Sequence, residues 1–398
     1  MSGLPSSPAA DPAAGPWSDA ALAEPQAGAA EPAPAAPADS GKPGFATLIV
    51  GSGLVGASIG LALRAAGRTV YLDDVAPEMA AAAASLGAGE QWDRRRPSAA
   101  AVGLVIVAVP PRAIAEVAAA QLAAFPEATV ADVGSVKAAI LADLLRRGAP
   151  VSRYVGSHPM AGSHRSGPVG ARADLFRDRT WVITPHDWED YVRTAAVEEL
   201  AVLCGSRVEL MSAAEHDVAV AQVSHLPQLM SSLVAGRLNA VPYRNLALAG
   251  QGVRDVTRIA ASDPDLWGQI IALNREAVRV ELEQIQADLA DLLAHLDSTP
   301  AVRRLVARGR DGVTGLPGKH GRGRGQTWER VVVELPDRPG ALGDIFAEVG
   351  RCGINVEDFA IEHDPVRLVG ELTIMVDGPE RAARLAAHMA KAGWALRA

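Results

Sequence analysis

Three glycines at a fixed spacing follow the first apolar run of the chain and constrain its fold most strongly. The run FATLIV leads into Gly51, Gly53 and Gly56, and the stretch SIGLALRAAG continues from them. The run is typical of a buried strand, and the Ala-rich stretch is typical of a helix. A strand, a glycine turn and a helix in that order are typical of a loop that cradles the pyrophosphate of a dinucleotide. We therefore expect a Rossmann-type α/β domain to begin here.

Each residue of this glycine loop has an expected role in cofactor binding. Gly51 makes the tight turn, Gly53 lets the backbone approach the pyrophosphate, and Gly56 lets the helix pack closely on the strand. Leu54 and Val55 open the helix, whose N-terminus is expected to face the phosphates. A glycine-rich turn without a ligand is the alternative, but the strand before it and the helix after it favour a dinucleotide site.

An acidic pair at the end of the second strand indicates which dinucleotide binds. RTVYLDD ends in Asp73 and Asp74, about 20 residues beyond the glycines, where a carboxylate can bond the ribose hydroxyls of NAD. The VAP turn that follows supplies no Arg or Lys for the extra phosphate of NADP. NAD is therefore the expected cofactor. Asp74 is the better ligand because it stands at the strand tip, and Asp73 is the second choice.

Two further apolar segments, GLVIVAVPP and ATVADVGSVK, extend the predicted sheet. Short apolar strands that alternate with helical stretches are typical of a parallel sheet covered by helices. VAVPP ends at the carboxyl edge of that sheet, where the ligands of open α/β sheets bind. Val109 and Pro110 could therefore wall the nicotinamide, although a strand simply stopped by proline explains them equally well.

Changes in composition divide the chain into five expected segments. Residues after 195 carry few strand signals and predict helices, and a compact alternation of strands and helices returns at Trp328. The expected segments are a disordered Ala/Pro-rich tail at 1–44, an NAD-binding Rossmann domain at 45–195, an all-α substrate and dimerisation domain at 196–298, an exposed basic Gly-rich linker at 299–328, and a small α+β domain of βαββαβ order at 329–398.

Charge and cysteine content exclude several classes of protein. The net charge is -8 and charged residues make up 21% of the chain, which argues against a nucleic-acid binder. The two cysteines, Cys204 and Cys352, lie far apart, so neither a disulfide nor a metal framework is expected and a reducing cytoplasm fits. No signal-peptide pattern and no apolar run long enough for a membrane span is present, so no membrane partner is expected.

Four polar motifs mark the expected reaction site: DVGSVK with Ser135, SHPMAGS with His158, VSHLPQ, and RDVTRIAASDP with Arg258. A histidine near neutrality is a natural general base, and an arginine can hold a carboxylate with two hydrogen bonds. The ordinary alternatives are a surface or capping histidine and an arginine that pairs with Asp255 or Asp263. His164, His186 and His216 are assigned to the surface or capping class.

Together, and in this order, the motifs resemble those of the prephenate/arogenate dehydrogenase family over residues 46–296. The resemblance implies a Rossmann domain joined to a helical domain that forms a homodimer, with the active site between the two. It also implies NAD-dependent oxidative decarboxylation of prephenate to 4-hydroxyphenylpyruvate, a step of tyrosine biosynthesis. In that reaction His158 is the implied base, Ser135 bonds both the histidine and the substrate hydroxyl, and Arg258 clamps the ring carboxylate.

The SHLPQ motif departs from the family pattern at one position. Ser224, His225 and Gln228 are the implied substrate-binding residues, and the family often has a second histidine where this chain has Gln228. In the family that position lies near the substrate side chain, which is a keto acid in prephenate and an amino acid in arogenate. An arogenate or dual-substrate cyclohexadienyl dehydrogenase therefore stays open as an alternative.

The C-terminal segment, with PDRPGALGDIF followed by CGINVEDF, resembles the ACT domain, a regulatory module that binds amino acids. The resemblance implies tyrosine or another amino acid as an effector. The implied site residues are Asp337, Gly340, Ala341, Leu342 and Asn355. A structural or dimerising domain without a ligand is the alternative, because fold alone does not establish binding.

Two other functions compete with this interpretation. A hydroxy-acid or imine reductase shares the Rossmann-plus-helices layout but is expected to lack the pairing of His158 with Arg258. A non-catalytic amino-acid sensor with a degenerate nucleotide fold is expected to have lost Ser135, His158 or a fingerprint glycine, and this chain retains all of them.

Overall fold

The computed structural model describes residues 46–93, 102–162, 167–314, 328–336, 338–364 and 369–397. The predicted tail at 1–44, the second half of the predicted linker, His164 and Asp337 lie outside these residues. The chain divides into two compact units, residues 1–275 and 276–398, which are described separately.

The first unit begins with an eight-stranded sheet in the order β3-β2-β1-β4-β5-β6-β7-β8. All neighbouring strands are parallel except β6 and β7, which are antiparallel. In chain order the elements are β1 Ala46–Val50, α1 Leu54–Ala65, β2 Val70–Asp73, α2 Pro77–Ser85, β3 Glu90–Gln91, β4 Val102–Val107, α3 Ile114–Ala124, β5 Thr129–Asp132, α4 Ala138–Arg146, β6 Tyr154–Pro159, β7 Thr180–Thr184, α5 Tyr191–Leu203 and β8 Arg207–Leu210. The predicted Rossmann-type sheet is therefore present.

Two hydrophobic clusters cover the faces of this sheet. Both draw on the central strands, because strands buried on both faces contribute alternate residues to each side. Ile49 and Ile106 belong to one cluster, and Leu48 and Val105 belong to the other. The four side chains are almost fully buried, which explains the continuous apolar runs of these strands.

After β8 the first unit continues with helices. The expected boundary at residue 195 is too early, because the sheet extends through β8 to Leu210 and only the segment after it is all-α. The helices are α6 Ala213–Val220, α7 Leu226–Arg237, α8 Tyr243–Leu246, α9 Gln251–Thr257 and α10 Pro264–Leu273. Ser212 starts α6 with a capping box, in which its hydroxyl accepts the Glu215 N–H and the Glu215 carboxylate accepts the Ser212 N–H. A π-helical turn, Ala221–His225, joins α6 to α7, and a 3-10 turn, Arg258–Ala261, lies between α9 and α10.

Two helices, α11 Arg275–Ala294 and α12 Thr299–Thr314, follow along the chain. The second corrects the sequence-based expectation, since residues 299–314 were expected to begin an irregular linker. Val302, Val306 and Val313 recur at helical spacing among the arginines, so the segment is an amphipathic helix. An ion pair of 2.9 Å between Arg308 and Asp288 joins α12 to α11.

The rest of the second unit is a four-stranded antiparallel sheet in the order β10-β11-β9-β12. Its elements alternate as βαββαβ: β9 Trp328–Pro336, α13 Ala341–Cys352, β10 Asp358–Asp364, β11 Val369–Asp377, α14 Pro379–Lys391 and β12 Leu396–Arg397. Val333, Ile345, Leu372 and Leu385 are fully buried in one core beneath the two helices. Among the described residues, no helix has the length and apolar character needed to cross a membrane.

Candidate active site

The strand register brings the predicted site segments to one edge of the sheet. Val50 lies opposite both Asp73 and Val107, and Asp132 pairs with Val107 on one side and with Gly156 on the other. Neighbouring strands lie about 4.8 Å apart, so the loops after β1, β2, β4, β5 and β6 lie side by side. The glycines, Asp74, Val109 and Ser135 follow strands that end at this edge, and His158 lies within β6, one residue before that strand ends.

The glycine loop has the shape that a dinucleotide requires. Gly51 has a φ of +101°, and a Cβ there would lie 2.3 Å from the Ala108 carbonyl oxygen. A Cβ on Gly56 would lie 2.0 Å from the Gly51 oxygen, so the close packing of α1 on β1 excludes any larger residue. A Cβ on Gly53 would meet nothing within 4 Å, which leaves open space in front of an α1 N-terminus that no side chain caps. The loop therefore fits a pyrophosphate.

Asp74 ties the tip of β2 to this loop. One of its carboxylate oxygens accepts the Ser52 N–H at 2.7 Å and the other accepts the Ala76 N–H at 3.0 Å. A carboxylate has about four acceptor positions, so two remain for ribose hydroxyls. Asp73 is the last residue of β2, and its carbonyl accepts the Gly51 N–H at 2.8 Å. The structure thus places the Asp74 side chain beside the glycines.

Val109 and Pro110 follow β4 at the same edge. Val109 is half-buried against the sheet and its Cγ1 would lie 3.2 Å from a Cβ on Gly51, whereas Pro110 is exposed. The pair therefore lies beside the glycine loop, on the side where a bound nicotinamide is expected.

His158, near the end of β6, is hydrogen-bonded to a second histidine. Its Nδ1 lies 2.9 Å from Nε2 of His216, and Nδ1 of His216 lies 2.8 Å from the Asp217 carboxylate. Burial holds the pKa of His158 well below its usual 6.5, and the neighbouring His216 and Lys137 lower it further. His158 is thus a neutral imidazole near pH 7.

His216 was expected at the surface, and the structure corrects this, because its side chain is fully buried. Its helix, α6, packs against the start of α4, where the Asp217 carboxylate accepts the backbone N–H groups of Lys137 and Ala138, each at 2.9 Å. The helical segment therefore closes over the DVGSVK loop, and its first helix supplies the partner of His158.

Ser135 lies half-buried in the DVGSVK loop. Within the described part of the chain its hydroxyl makes no hydrogen bond, so the bond to His158 that the family resemblance implied is absent from this structure. The hydrogen-bond partner that the structure gives to the His158 ring is His216, which lies at Nδ1. Ser135 nevertheless follows β5 directly beside β6, the strand of His158.

A buried ion pair anchors β5, which leads into the Ser135 loop, and β6, which contains His158. The Lys137 ammonium pairs with Asp132 and donates to the Ser157 carbonyl at 2.7 Å, and the Tyr154 hydroxyl donates to Asp132 at 2.6 Å. Burial lowers the pKa of Lys137, and the adjacent Asp132 carboxylate raises it in opposition. Breaking a buried pair costs about 3–5 kcal/mol, so this cluster fixes the ends of β5 and β6 firmly.

Two residues of the SHLPQ motif are buried side chains. Nδ1 of His225 lies 3.1 Å from Nδ2 of Asn274, and burial lowers the His225 pKa to about 4. Gln228 contacts Ser232 and Ser262, each at 3.4 Å. Ser224 is half-buried. Gln228 thus links α7 to the residue that follows the 3-10 turn of Arg258.

Arg258 has an exposed side chain that makes no ion pair with any residue the structure describes. Asp255 instead accepts a hydrogen bond from Gln251 at 2.7 Å. Asp263 caps α10 by accepting the Asp265 N–H at 2.9 Å. Neither of the two salt bridges considered as alternatives is formed, so the guanidinium is available to an anion.

Comparisons with known proteins identify the family of the chain. Residues 59–210 match the nucleotide-binding domain of prephenate dehydrogenase, and residues 212–306 match its dimerization domain. NovF of Streptomyces niveus, whose name assigns it to prephenate dehydrogenase, is 32% identical over 359 residues, which is 87% of this chain and 98% of NovF. The chain belongs to the prephenate dehydrogenase family.

Two further relatives of this prephenate dehydrogenase family member bear on its chemistry. A Zymomonas mobilis cyclohexadienyl dehydrogenase is 32% identical over 252 residues, which cover 61% of this chain and 86% of the relative. The crystal structure of Aquifex aeolicus prephenate dehydrogenase with hydroxyphenyl propionate and NAD+ superposes with a TM-score of 0.60 at 30% identity, covering 68% of this chain and 98% of that one. The chain is accordingly an NAD-dependent oxidoreductase that acts on a small molecule.

Sequence reasoning missed several residues of this site. His216 and Asp217 are adjacent in the AAEHDVAV segment. Only the folded chain brings His216 into contact with His158 on β6. Lys137 was noted as part of a motif but its buried pair with Asp132 was not foreseen. Asn274 at the end of α10 carries no motif, although it touches both Asp217 and His225.

The predicted effector residues in the second unit do not share one environment. Gly340 adopts a left-handed conformation with a φ of +86° and begins α13, whereas Ala341 and Leu342 pack into the core. The exposed Asn355 donates to the Glu357 carboxylate at 2.8 Å. Asp337 lies outside the described residues.

Proposed function

We propose that this chain catalyses the NAD-dependent oxidative decarboxylation of prephenate to 4-hydroxyphenylpyruvate. The observation that carries the proposal is His158, a neutral histidine held by His216 at the sheet edge that also carries the glycine loop. A base beside a hydride acceptor is what the oxidation of a ring alcohol requires.

The glycine loop and Asp74 would hold NAD. The α1 N-terminus and the open space at Gly53 receive the pyrophosphate, and the spare acceptor positions of Asp74 receive the ribose hydroxyls. Leu54 and Val55 place the first turn of α1 against the phosphates, while Val109 and Pro110 flank the nicotinamide. When bound, the nicotinamide accepts the hydride from C4 of the substrate.

His158 would take the proton from the C4 hydroxyl through Nε2. Removal of that proton and of the C4 hydride gives a ring ketone, and loss of the ring carboxylate as carbon dioxide then leaves an aromatic phenolate. The proton held by His158 can return to this oxygen and give the phenol. The His158 pKa is held low, so the imidazole is unprotonated and ready to accept at neutral pH. The free hydroxyl of Ser135 is the candidate hydrogen-bond partner for the substrate hydroxyl.

Arg258 would hold the ring carboxylate. Its guanidinium has no anionic partner in the described chain, and a dianionic substrate needs a fixed cation in this region. The candidates for contacts to the substrate side chain are the residues of the SHLPQ motif, Ser224, His225 and Gln228.

Arogenate is the alternative substrate, alone or together with prephenate. Gln228 is compatible with either substrate, because a buried amide can accept from the amino group of arogenate and can also donate to the keto or carboxylate group of prephenate. The deciding experiment compares kcat/KM for prephenate and for arogenate with NAD. A higher value for prephenate supports the proposal, a higher value for arogenate replaces it with the alternative, and no turnover of either rejects both.

We also propose that the protein is a homodimer whose C-terminal residues 329–398 form an ACT-type regulatory domain that binds tyrosine or another amino acid. The match to a dimerization domain and several exposed apolar side chains, such as Leu233, Leu289 and Leu293, support the dimer. The βαββαβ order of the second unit supports the regulatory domain. Its expected site comprises Asp337, Gly340, Ala341, Leu342 and Asn355.

A further inference from the structure

Three hydrogen-bonded side chains run from the helical segment to the candidate base. The Asp217 carboxylate contacts Nδ1 of His216 at 2.8 Å, and Nε2 of His216 contacts Nδ1 of His158 at 2.9 Å. His216 is fully buried and Asp217 is 5% exposed, so bulk water does not compete for these contacts. We call Asp217, His216 and His158 the relay.

The chemistry of its partners fixes the direction of each hydrogen bond in the relay. Both Asp217 oxygens accept backbone N–H groups, those of Lys137 and Ala138, and a backbone N–H can only donate. Asp217 is thus an acceptor on both oxygens and must also accept from His216. The proton of a neutral His216 therefore sits on Nδ1, and its Nε2 carries a lone pair.

The tautomer of His158 follows from that of His216. Since Nε2 of His216 can only accept, Nδ1 of His158 must carry a proton and donate to it. The other nitrogen of His158, Nε2, then carries the lone pair that a general base needs. Among the described residues no other group contacts either ring nitrogen of His158, so this tautomer depends on His216 alone.

A second histidine in the same network receives the opposite tautomer. The Asn274 amide nitrogen donates to the Asp217 carbonyl at 2.7 Å, which fixes its orientation because a carbonyl can only accept. The same nitrogen lies 3.1 Å from Nδ1 of His225, which must then accept. A neutral His225 therefore carries its proton on Nε2. Its nitrogen signals provide an internal reference for the tautomer opposite to that of His158.

We propose that His216 and Asp217 are positioning residues that hold His158 as its Nδ1–H tautomer, so that Nε2 is the basic nitrogen. The use of that nitrogen in catalysis rests on the proposed function, whereas the tautomer is a property of the resting protein. An aspartate that fixes the tautomer of a catalytic histidine has a known precedent in serine proteases, where its replacement by asparagine lowers kcat about 10⁴-fold.

The decisive measurement is long-range ¹H–¹⁵N correlation spectroscopy of the full chain labelled in its histidines at neutral pH. The two neutral tautomers have different nitrogen shifts, and single substitutions assign the signals. We expect the Nδ1–H pattern for His158 and the Nε2–H pattern for His225. An Nε2–H pattern for His158 in the unaltered protein overturns the proposal.

Three variants test the relay through two measured quantities, the tautomer of His158 and kcat. Asp217→Asn presents an N–H to His216 and should move His158 toward the Nε2–H tautomer, lowering kcat about 10²- to 10⁴-fold with a smaller change in KM. His216→Gln keeps an acceptor for the His158 N–H and should retain more activity than His216→Leu, which offers none. His186→Gln is the matched control, since that ring bonds the Tyr154 carbonyl outside the relay.

The outcomes separate this inference from the proposed function. If the tautomers are as stated but neither prephenate nor arogenate is oxidised, the proposed function fails and the relay stands. If Asp217→Asn does not fold, the two His216 variants decide, and equal kcat with an unchanged His158 tautomer in both overturns the relay. Retention of the Nδ1–H tautomer in a folded Asp217→Asn protein overturns it as well.

Discussion

The Asp74 carboxylate accepts the Ser52 N–H at 2.7 Å and so joins the tip of β2 to the glycine loop. The carboxylate therefore stands where it can both shape the loop and bond a ribose. We expect the enzyme to use NAD with a much higher kcat/KM than NADP, because the negative charge repels a 2′-phosphate.

Substitution of Asp74 should change cofactor affinity more than substrate affinity. A hydrogen bond to a charged group contributes about 1.5–3 kcal/mol, so Asp74→Asn should raise the KM for NAD about 10- to 150-fold. The ratio of kcat/KM with NAD to kcat/KM with NADP should fall as well. Steady-state kinetics with each cofactor provide the test, and Asp73→Asn serves as the neighbouring control. A larger effect of Asp73→Asn would transfer the role to that residue.

The pH profile should report the low pKa of His158. The unprotonated ring is the active form, so kcat/KM falls as pH drops through the pKa of the free enzyme. Because burial above all holds that pKa well below 6.5, activity should remain near its plateau at pH 6.5 and decline only in more acidic solution. A midpoint at or above 6.5 contradicts this environment for His158.

Arg258→Ala should weaken binding of the ring carboxylate and leave NAD binding nearly unchanged. Loss of a charge-assisted contact predicts an increase in substrate KM of about 10- to 150-fold. Arg254→Ala is the matched control, since Arg254 is an exposed arginine of the preceding helix. Equal effects of the two variants, or equal losses for substrate and NAD, would assign Arg258 a general electrostatic or structural role.

Tyrosine should inhibit through the C-terminal domain. An effector acts only if it binds one state of the protein better than the other, and typical coupling of about 1–3 kcal/mol corresponds to roughly 5- to 150-fold in apparent affinity. Asn355→Ala in the full chain should reduce inhibition without changing kcat. A chain ending after Thr314, which keeps α12 and all residues of the two family matches, should remain active and lose most of the inhibition.

Simple product inhibition gives a different result in the same assays. Tyrosine resembles the reaction product, so it could compete with substrate at the active site. Unchanged inhibition of both Asn355→Ala and the shortened chain would establish that competition, and the C-terminal domain would then be structural or would bind another ligand.

The sequence predicted strands β1, β2, β4 and β5, the glycine loop and the βαββαβ order because each depends on local periodicity and glycine spacing. The side chain of Asp74 could be placed for the same reason, since a strand tip follows directly from the apolar pattern. The sequence did not predict β3, β6, β7 or β8. It also did not predict the amphipathic helix α12, because its arginines and glycines are typical of a linker and obscure the helical recurrence of Val302, Val306 and Val313.

The partners of His158 could not be deduced from the sequence. His216 lies 58 residues further along the chain and in a different layer of the fold, so no local pattern links the two rings. The family resemblance implied a bond from Ser135 to His158, whereas the residue that contacts the His158 ring in the folded chain is His216. Contacts of this kind depend on how α6 packs over β6, which is a tertiary property.

Oxidation of prephenate by the purified enzyme and by His158→Asn tests the central claim most directly. With NAD and prephenate, we expect equal amounts of NADH and carbon dioxide to form, and His158→Asn should lower kcat about 10²- to 10⁴-fold while NAD still binds. NADH formation without carbon dioxide, or a His158→Asn protein with the kcat and pH profile of the unaltered enzyme, would contradict the account.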